Sequence, residues 1–171
     1  FLPAIRLSQN HSPARTMTET RIPPEDAMRE DWNRRAVEDY RLHIATGHAR
    51  PDEDFRASGE KDLVEYILNG IELSPDAEAL EIGCGVGRLL VPLSTRIATA
   101  HGVDISEVMI GRSKEYCAHR PNVSTQTTDG TLGAFAEGSL DFVFSFIVFQ
   151  HIPLRKAIAT YKLREGQPIG C

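Results

Sequence analysis

The chain has 171 residues, of which 41% are hydrophobic and 25% are charged, and its 19 basic and 24 acidic residues leave a net charge of −5. These values are typical of one soluble domain and argue against a disordered or membrane-spanning chain. The negative balance gives no general attraction for nucleic acid. Three cysteines form no CxxC pair, which argues against a disulfide framework or a structural zinc site and favours a cytoplasmic location.

The first third of the chain predicts a leader followed by a helical unit. Residues 1–16 contain arginine, serine and proline but no acidic residue, and we expect them to be a non-native or disordered leader. A proline pair followed by two acids predicts a helix over about 24–45. With a polar loop over 49–57, this helix makes up a predicted N-terminal helical lid, 17–57.

From Ser58 onward, helices and strands alternate. Ser58 is predicted to cap a second helix, and short runs rich in apolar and β-branched residues then predict strands. This order implies an α/β fold with about four parallel strands and helices on both faces, preceded by the N-terminal helices. The strands are predicted at 79–82, 99–103, 123–127 and 140–149. One helix is predicted after the glycine-rich segment and another after Ser106. A last helix is predicted to start at Pro153 and to span 153–163.

A glycine-rich turn follows the first predicted strand. Its glycines, Gly83, Gly85 and Gly87, have GxGxG spacing and permit close approach of the backbone to a ligand. A dinucleotide fingerprint needs a third glycine where Arg88 stands, and a P-loop needs a Gly-Lys-Ser/Thr end that is absent.

Two acidic residues at predicted strand ends narrow the class of ligand. Glu81, just before the glycine turn, suits a cationic group and repels a pyrophosphate. Asp104, at the end of the second strand, is placed to accept the hydroxyls of a ribose. Together they predict a nucleoside with a positive or zwitterionic tail and no phosphate.

Three spaced motifs resemble those of the class I S-adenosylmethionine-dependent methyltransferases of the small-molecule type: ALEIGCGVGR over 79–88, GVDIS over 102–106 and SLDFVFS over 139–145. The resemblance covers about 58–163. It implies a Rossmann-like fold, S-adenosyl-L-methionine as cofactor, a cofactor-binding domain over 58–171 and a small-molecule methyl acceptor as partner.

The resemblance also implies roles for individual residues. By motif match, the amino-acid end of the cofactor contacts Glu81, Gly83, Cys84, Gly85 and Gly87. The ribose is held by Asp104, and the adenine packs on Ile105 while its amine contacts Asp129. The methyl group faces Ser145 and Phe146. The lid over the substrate includes Trp32 and Tyr40.

Simpler structural roles stay open for several of these residues. Asp104 also suits the start of the following helix, and Asp129, which precedes a glycine, also suits an ordinary turn. Trp32 and Tyr40 share a helix face that is typical of core packing. His151 is placed to take a proton from the acceptor, although it also suits a helix start. No metal site is predicted, because His43 and His48 are five residues apart.

The last predicted helix leads into a short segment that ends at Cys171. Family members continue for three further strands, so we expect a truncated domain whose fourth strand has an uncovered edge and self-associates. The sequence therefore leaves two functions open: a methyltransferase acting on a small molecule, or a non-catalytic cofactor-binding remnant or interaction protein. A nicotinamide oxidoreductase ranks third because Arg88 interrupts the fingerprint.

Overall fold

The computed structural model describes residues 25–44, 51–148 and 169–170. Its order of elements confirms the predicted α/β Rossmann-like fold with N-terminal helices. The helices are α1 (Glu25–Ile44), α2 (Asp52–Asp62), a π-helix (Leu63–Ile67) that continues α2, α3 (Leu90–Leu93) and α4 (Glu107–Tyr116). The strands are β1 (Glu78–Ile82), β2 (Thr99–Asp104), β3 (Val123–Thr127), β4 (Phe142–Ser145) and β5 (Ile169–Gly170).

All strand pairs in the described sheet are parallel, and the strand order is β3-β2-β1-β4-β5. The chain moves outward from β1 through β2 to β3 and then returns to the other side of β1 with β4. The order therefore reverses between β1 and β4. Ligands of such sheets bind outside the carboxyl ends of the strands at this reversal, and the glycine-rich turn follows β1 there.

The two faces of the sheet are covered differently. One face packs against the π-helix, α3 and α4 through a cluster that includes Leu63, Leu90, Ile110 and Phe142. The other face, around Leu80, Val103 and Val143, is covered by Leu132, Phe135 and Leu140 from the segment between β3 and β4. The predicted helix over 153–163 lies outside the described residues.

Two details of the N-terminal helices differ from prediction. The polar loop predicted over 49–57 is wrong from Asp52 onward, because α2 begins there directly after Pro51, with three acids in its first turn. Such a start needs no side-chain cap, since proline fits a helix N-terminus and acids favour its dipole. Ser58 accordingly lies within α2, where its hydroxyl donates to the Phe55 carbonyl oxygen at 2.8 Å.

Two elements around the glycine turn and β4 are shorter than predicted. The helix after the glycine turn has four residues, because Pro92 lies inside it and lacks the N–H that a longer helix needs. β4 ends at Ser145 instead of Phe149, because Ile147 adopts a positive φ of 59°, which is incompatible with a continuing strand. The predicted cap at Ser106 is confirmed, since its Oγ accepts the Met109 N–H at 3.1 Å.

The outer edge of β4 is covered in part. Val143 pairs with Ile169 and Phe144 with Gly170, so the expectation of a fully uncovered fourth strand is wrong. Self-association at this edge stays a prediction. Among the described helices, none combines the length and the apolar character that a bilayer crossing requires.

Candidate functional site at the carboxyl edge of the sheet

The glycine turn is folded tightly against the end of β2. The N–H groups of Gly83 and Cys84 both donate to the Val103 carbonyl oxygen, at 2.7 and 3.0 Å. Gly83, Gly85 and Gly87 have φ angles of 75°, 54° and 82°, a region that side chains disfavour. A Cβ at Gly83 would lie 2.4 Å from Val148, so the backbone there also approaches its neighbour more closely than another residue permits.

Asp104 links the glycine turn to the start of α4. Its Oδ2 accepts the Gly85 N–H at 2.9 Å, and its Oδ1 accepts the Ser106 N–H at 2.8 Å. Burial raises the pKa of Asp104, while N–H groups of Ser106, Gly85 and Ile105 oppose that rise. The bond to Ser106 shows that Asp104 does support the following helix, and the bond to Gly85 places its carboxylate against the glycine turn as well.

Glu81 is a buried acid beside the same turn, with 3% of its surface exposed. Its Oε2 has no hydrogen-bond partner in the described part of the chain. Burial raises the pKa of Glu81 well above its usual range; the Arg88 charge lowers it, and the Asp104 charge adds to the rise. A buried carboxylate without a bonded partner is costly, and such a group is a candidate for a binding or catalytic site.

Replacing Glu81 with glutamine is expected to stabilise the ligand-free protein at high pH. The folded-state pKa of Glu81 is raised, so its contribution to stability is full below the unfolded pKa and falls as pH rises through the folded pKa. At pH 8 we expect E81Q to gain about 1 kcal/mol, a few degrees in Tm, because an unpaired buried charge is removed. Thermal unfolding from pH 5 to 8 measures the difference in Tm between E81Q and the original chain, which should become smaller toward pH 5. A difference in Tm that does not change with pH would contradict this prediction.

Arg88 joins the glycine turn to α2 and is buried, with 3% exposed. Its Nη1 donates to Asp62 Oδ2 at 2.7 Å and to Ser58 Oγ at 3.1 Å. The guanidinium lies 5.9 Å from the centre of the Phe55 ring. A Cβ on Gly59 would lie 2.5 Å from the Arg88 carbonyl oxygen, so α2 rests directly on this residue. The sequence marked Arg88 only as an interrupted fingerprint, because nothing local signals its buried ion pair.

The two described cysteines near the turn are buried free thiols. Burial raises the pKa of Cys84 well above its ordinary value, with further rises from Asp104 and Glu81. Burial and Glu81 raise the pKa of Cys117 to about 12. Neither thiol is therefore activated as a nucleophile, and Cys84 contributes to the site as a small residue of the turn.

Asp129 lies beyond β3 beside a cavity of about 210 Å³, whose wall includes Val103, Thr127 and Phe135. Its Oδ1 accepts the Thr131 N–H at 2.9 Å and the Thr131 hydroxyl at 2.7 Å, which together lower its pKa. The turn role that the sequence left open for Asp129 is thus observed, and the residue also borders the cavity. Ile105 is half-buried next to Asp104.

The end of β4 lies beside the glycine turn. Ser145 is buried and its hydroxyl donates to the Ile82 carbonyl oxygen at 2.9 Å, which ties β4 to β1 immediately before the turn. Phe146 is half-buried, and its ring stacks on Tyr66 of the π-helix with centroids 5.9 Å apart. Tyr66 is 59% exposed and was not predicted, since exposure of one helical aromatic residue leaves no sequence signal.

The N-terminal helix α1 packs on α4 through Asn33, whose Oδ1 accepts the Ser106 hydroxyl at 2.6 Å. Trp32 and Tyr40 pack against a second core cluster that includes Phe55, so the core role that the sequence left open is observed. Ile44 of α1 lies close to the glycine turn, because its Cδ1 is 2.9 Å from where a Gly85 Cβ would stand.

His151, the predicted proton acceptor, lies outside the described residues. Within the ranges that the structure describes, no group of three or more histidine, cysteine or acidic residues is arranged to hold a metal ion. The arrangement that remains is a glycine turn bordered by a buried carboxylate, Glu81, and a half-buried one, Asp104, where strand order reverses. It defines a ligand-binding site of the Rossmann-like class.

The part of the chain that contains this site is similar to known proteins. Residues 79–163, about half of the chain, match the family model described as a methyltransferase domain. This part of the chain belongs to that methyltransferase domain family, the class I S-adenosylmethionine-dependent methyltransferases. The match begins in β1 and includes the glycine turn, Asp104 and β4.

Individual relatives agree with this assignment. Nocamycin O-methyltransferase from Saccharothrix syringae is 31% identical over 115 residues, 64% of this chain and 41% of the relative. Magnesium-protoporphyrin O-methyltransferase from a Synechocystis species is 27% identical over 152 residues, 84% of this chain and 64% of the relative. The chain thus spans less than half of the first of these relatives.

A solved structure confirms the fold. Phosphoethanolamine N-methyltransferase 1 from Haemonchus contortus, in complex with phosphoethanolamine and S-adenosylhomocysteine, superposes with a TM-score of 0.69 at 23% identity. The superposition covers 85% of this chain and 31% of that protein. At this identity the likeness concerns the fold alone.

Proposed function

We propose that the chain binds S-adenosyl-L-methionine and belongs to an enzyme that transfers the methyl group to a small molecule. The observation that carries the proposal is the pair of carboxylates at one glycine turn, buried Glu81 and half-buried Asp104. Asp104 is bonded to the Gly85 N–H, and Glu81 lies near enough to raise the pKa of the neighbouring thiols. The cofactor offers what this pair can bind, namely an ammonium group and a ribose, and it has no phosphate for Glu81 to repel.

The geometry supports a particular orientation of the cofactor. The amino-acid end would be held by Gly83, Gly85 and Gly87 beside Glu81, and the ribose by Asp104. Ile105 and Asp129 would hold the adenine, and Ser145 and Phe146 would face the methyl group. Each of these contacts is part of the proposal and rests on the placement of all these residues along one edge of the sheet.

In such a site the protein contributes binding, alignment and exclusion of water. Methyl transfer from a sulfonium is intrinsically downhill, so holding the acceptor in line with the methyl group supplies most of the rate acceleration. The face of Phe146 is suited to stabilise the sulfonium charge. An acceptor that loses a proton needs a base, and His151 is the residue proposed for that task.

A small-molecule acceptor is favoured by charge and by the relatives. The net charge of −5 provides no basic surface for nucleic acid. The two relatives described above are named for a small molecule, nocamycin or magnesium protoporphyrin, as the compound methylated. We propose acceptors of this size without assigning one of these compounds.

Calorimetric titration with S-adenosylhomocysteine tests the binding part of the proposal. We expect a saturable isotherm for this ligand and none for a nicotinamide dinucleotide. The opposite pattern would overturn the proposal in favour of an oxidoreductase. Transfer of a labelled methyl group to a panel of small alcohols, phenols, amines and carboxylates then separates an enzyme from a cofactor-binding protein without activity.

A further inference from the structure

The inference concerns the contact between α1 and the first turn of α4, and it rests on the proposed function. The amide of Asn33 makes this contact. Its Oδ1 accepts the Ser106 hydroxyl at 2.6 Å and the Val108 N–H at 3.5 Å, and its Nδ2 donates to Glu107 Oε1 at 3.3 Å. Asn33 and Ser106 are 73 residues apart in the chain, so one helix supplies part of the cap of another.

Ser106 connects Asn33 to the carboxylate of Asp104. Ser106 is fully buried, and a hydroxyl has one hydrogen and two acceptor lone pairs. Because its hydrogen is donated to Asn33, the lone pairs are directed elsewhere, and one accepts the Met109 N–H at 3.1 Å. The N–H of the same serine donates to Asp104 Oδ1 at 2.8 Å. Asn33 therefore fixes the residue that holds one oxygen of Asp104.

Asp104 is held at both of its oxygens, since Oδ2 accepts the Gly85 N–H at 2.9 Å. The terminal torsion of an aspartate is broad, so a bond at each oxygen is what fixes the plane of the carboxylate. A ribose presents two neighbouring hydroxyls, and one carboxylate accepts both only when its plane faces them. The hydrogen bonds that run from Asn33 through Ser106 thus end at the group proposed for the ribose.

We propose that Asn33 is a positioning residue for the ribose of the cofactor: through Ser106 it holds the Asp104 carboxylate in the plane that receives both hydroxyls. Asn33 acts through these two residues and not by contact with the ligand. The docking of α1 has a second, independent source, because Ala36 is fully buried in the core cluster that also contains Phe55. Loss of the Asn33 amide should therefore leave α1 in place.

N33A tests the proposal in calorimetric titrations of the full chain with two ligands. S-adenosylhomocysteine has both ribose hydroxyls, and its dideoxyribose analogue has neither. We expect N33A to bind S-adenosylhomocysteine about tenfold more weakly than the original chain does, the effect of one lost hydrogen bond to a charged group. The affinity for the analogue should be the same in both chains. An equal loss for the two ligands, or no loss for either, overturns the inference.

A double-mutant cycle gives an independent result with S-adenosylhomocysteine alone. If Asn33 acts through Asp104, N33A should weaken binding no further in the D104A background, because residues that act as one unit have non-additive effects. Losses that simply multiply would contradict the proposal, since they would mean that Asn33 affects binding by another route.

N33D/E107Q is the rescue variant, because it reverses the polarity of one contact and keeps the other. The new carboxylate still accepts the Ser106 hydroxyl, and the new amide at position 107 can donate to it. We expect the affinity of the original chain for S-adenosylhomocysteine, and a loss as large as that of N33A would count against the proposal. V37A is the matched control: Val37 lies one turn later on α1 and is 66% exposed, so both affinities should be unchanged.

S106A carries the test if thermal unfolding shows that N33A does not fold. It removes the same link from the α4 side and leaves α1 unchanged, so it should lose affinity for the ligand with ribose hydroxyls and not for the analogue. Equal losses for both ligands in S106A overturn this inference alone. Absence of S-adenosylhomocysteine binding in the original chain overturns the proposed function instead.

Discussion

Replacing Asp104 with alanine is expected to weaken binding of S-adenosylhomocysteine by about 100-fold or more. Asp104 already accepts two backbone N–H groups, from Gly85 and Ser106, and it is the residue proposed for the ribose. Hydrogen bonds to a charged group each contribute about 1.5–3 kcal/mol, and about 2.7 kcal/mol corresponds to a factor of 100. Calorimetric titration of the variant and the original chain at one pH measures the loss.

Two variants separate loss of the ligand contact from loss of the fold. D104N keeps one acceptor oxygen at the same position, and we expect an intermediate affinity. D76A changes an exposed aspartate that precedes β1 at the opposite edge of the sheet, and its affinity should equal that of the original chain. Near-normal affinity in D104A, with an unchanged Tm, would remove Asp104 from the proposed site.

The second large effect is expected for G87A. Gly87 has a φ of 82°, and an added Cβ would lie 2.6 Å from Cys117 Sγ, which is buried and cannot move aside easily. The left-handed backbone costs about 1–2 kcal/mol for a non-glycine residue, and overpacking costs about 1–3 kcal/mol. We expect a combined loss of about 2–5 kcal/mol in the free energy of unfolding, a fall in Tm of about 4–20 °C, together with weaker ligand binding.

Variants of two other glycines separate the cost of the left-handed backbone from the cost of overpacking against Cys117. Gly70 has a φ of 75° but no atom within 4 Å of its would-be Cβ, so G70A reports the backbone strain alone. Gly111 lies inside α4, also without a contact, and G111A should stabilise the protein by up to about 1 kcal/mol through helix propensity. Thermal unfolding of the three variants should give the lowest Tm for G87A, a higher Tm for G70A and the highest for G111A. A Tm of G87A as high as that of G70A would show that the contact with Cys117 is unimportant.

The start of α2 and the end of β4 differ from the positions that the sequence predicts. Both a proline followed by acids and a serine are valid helix starts, and the earlier signal, at Pro51 and Asp52, determined the start of α2. The apolar run that predicted a strand to Phe149 contains no local sign of the left-handed Ile147. Hydrophobic runs indicate burial reliably, but they do not locate the residue at which the backbone turns.

The sequence by itself determined the order of strands and helices, the cap at Ser106, the glycine turn and the acids at positions 81 and 104. These features depend on local backbone preferences and on residues that are close together in the chain, both of which can be read directly from the sequence. Only the tertiary structure decided that Arg88 is buried against Asp62, that Ile44 of α1 lies close to the turn, and that Oε2 of Glu81 has no bonded partner among the described residues. The physical reason is that burial and charge pairing arise between segments far apart in the chain, so the same side chains have different energies before and after packing.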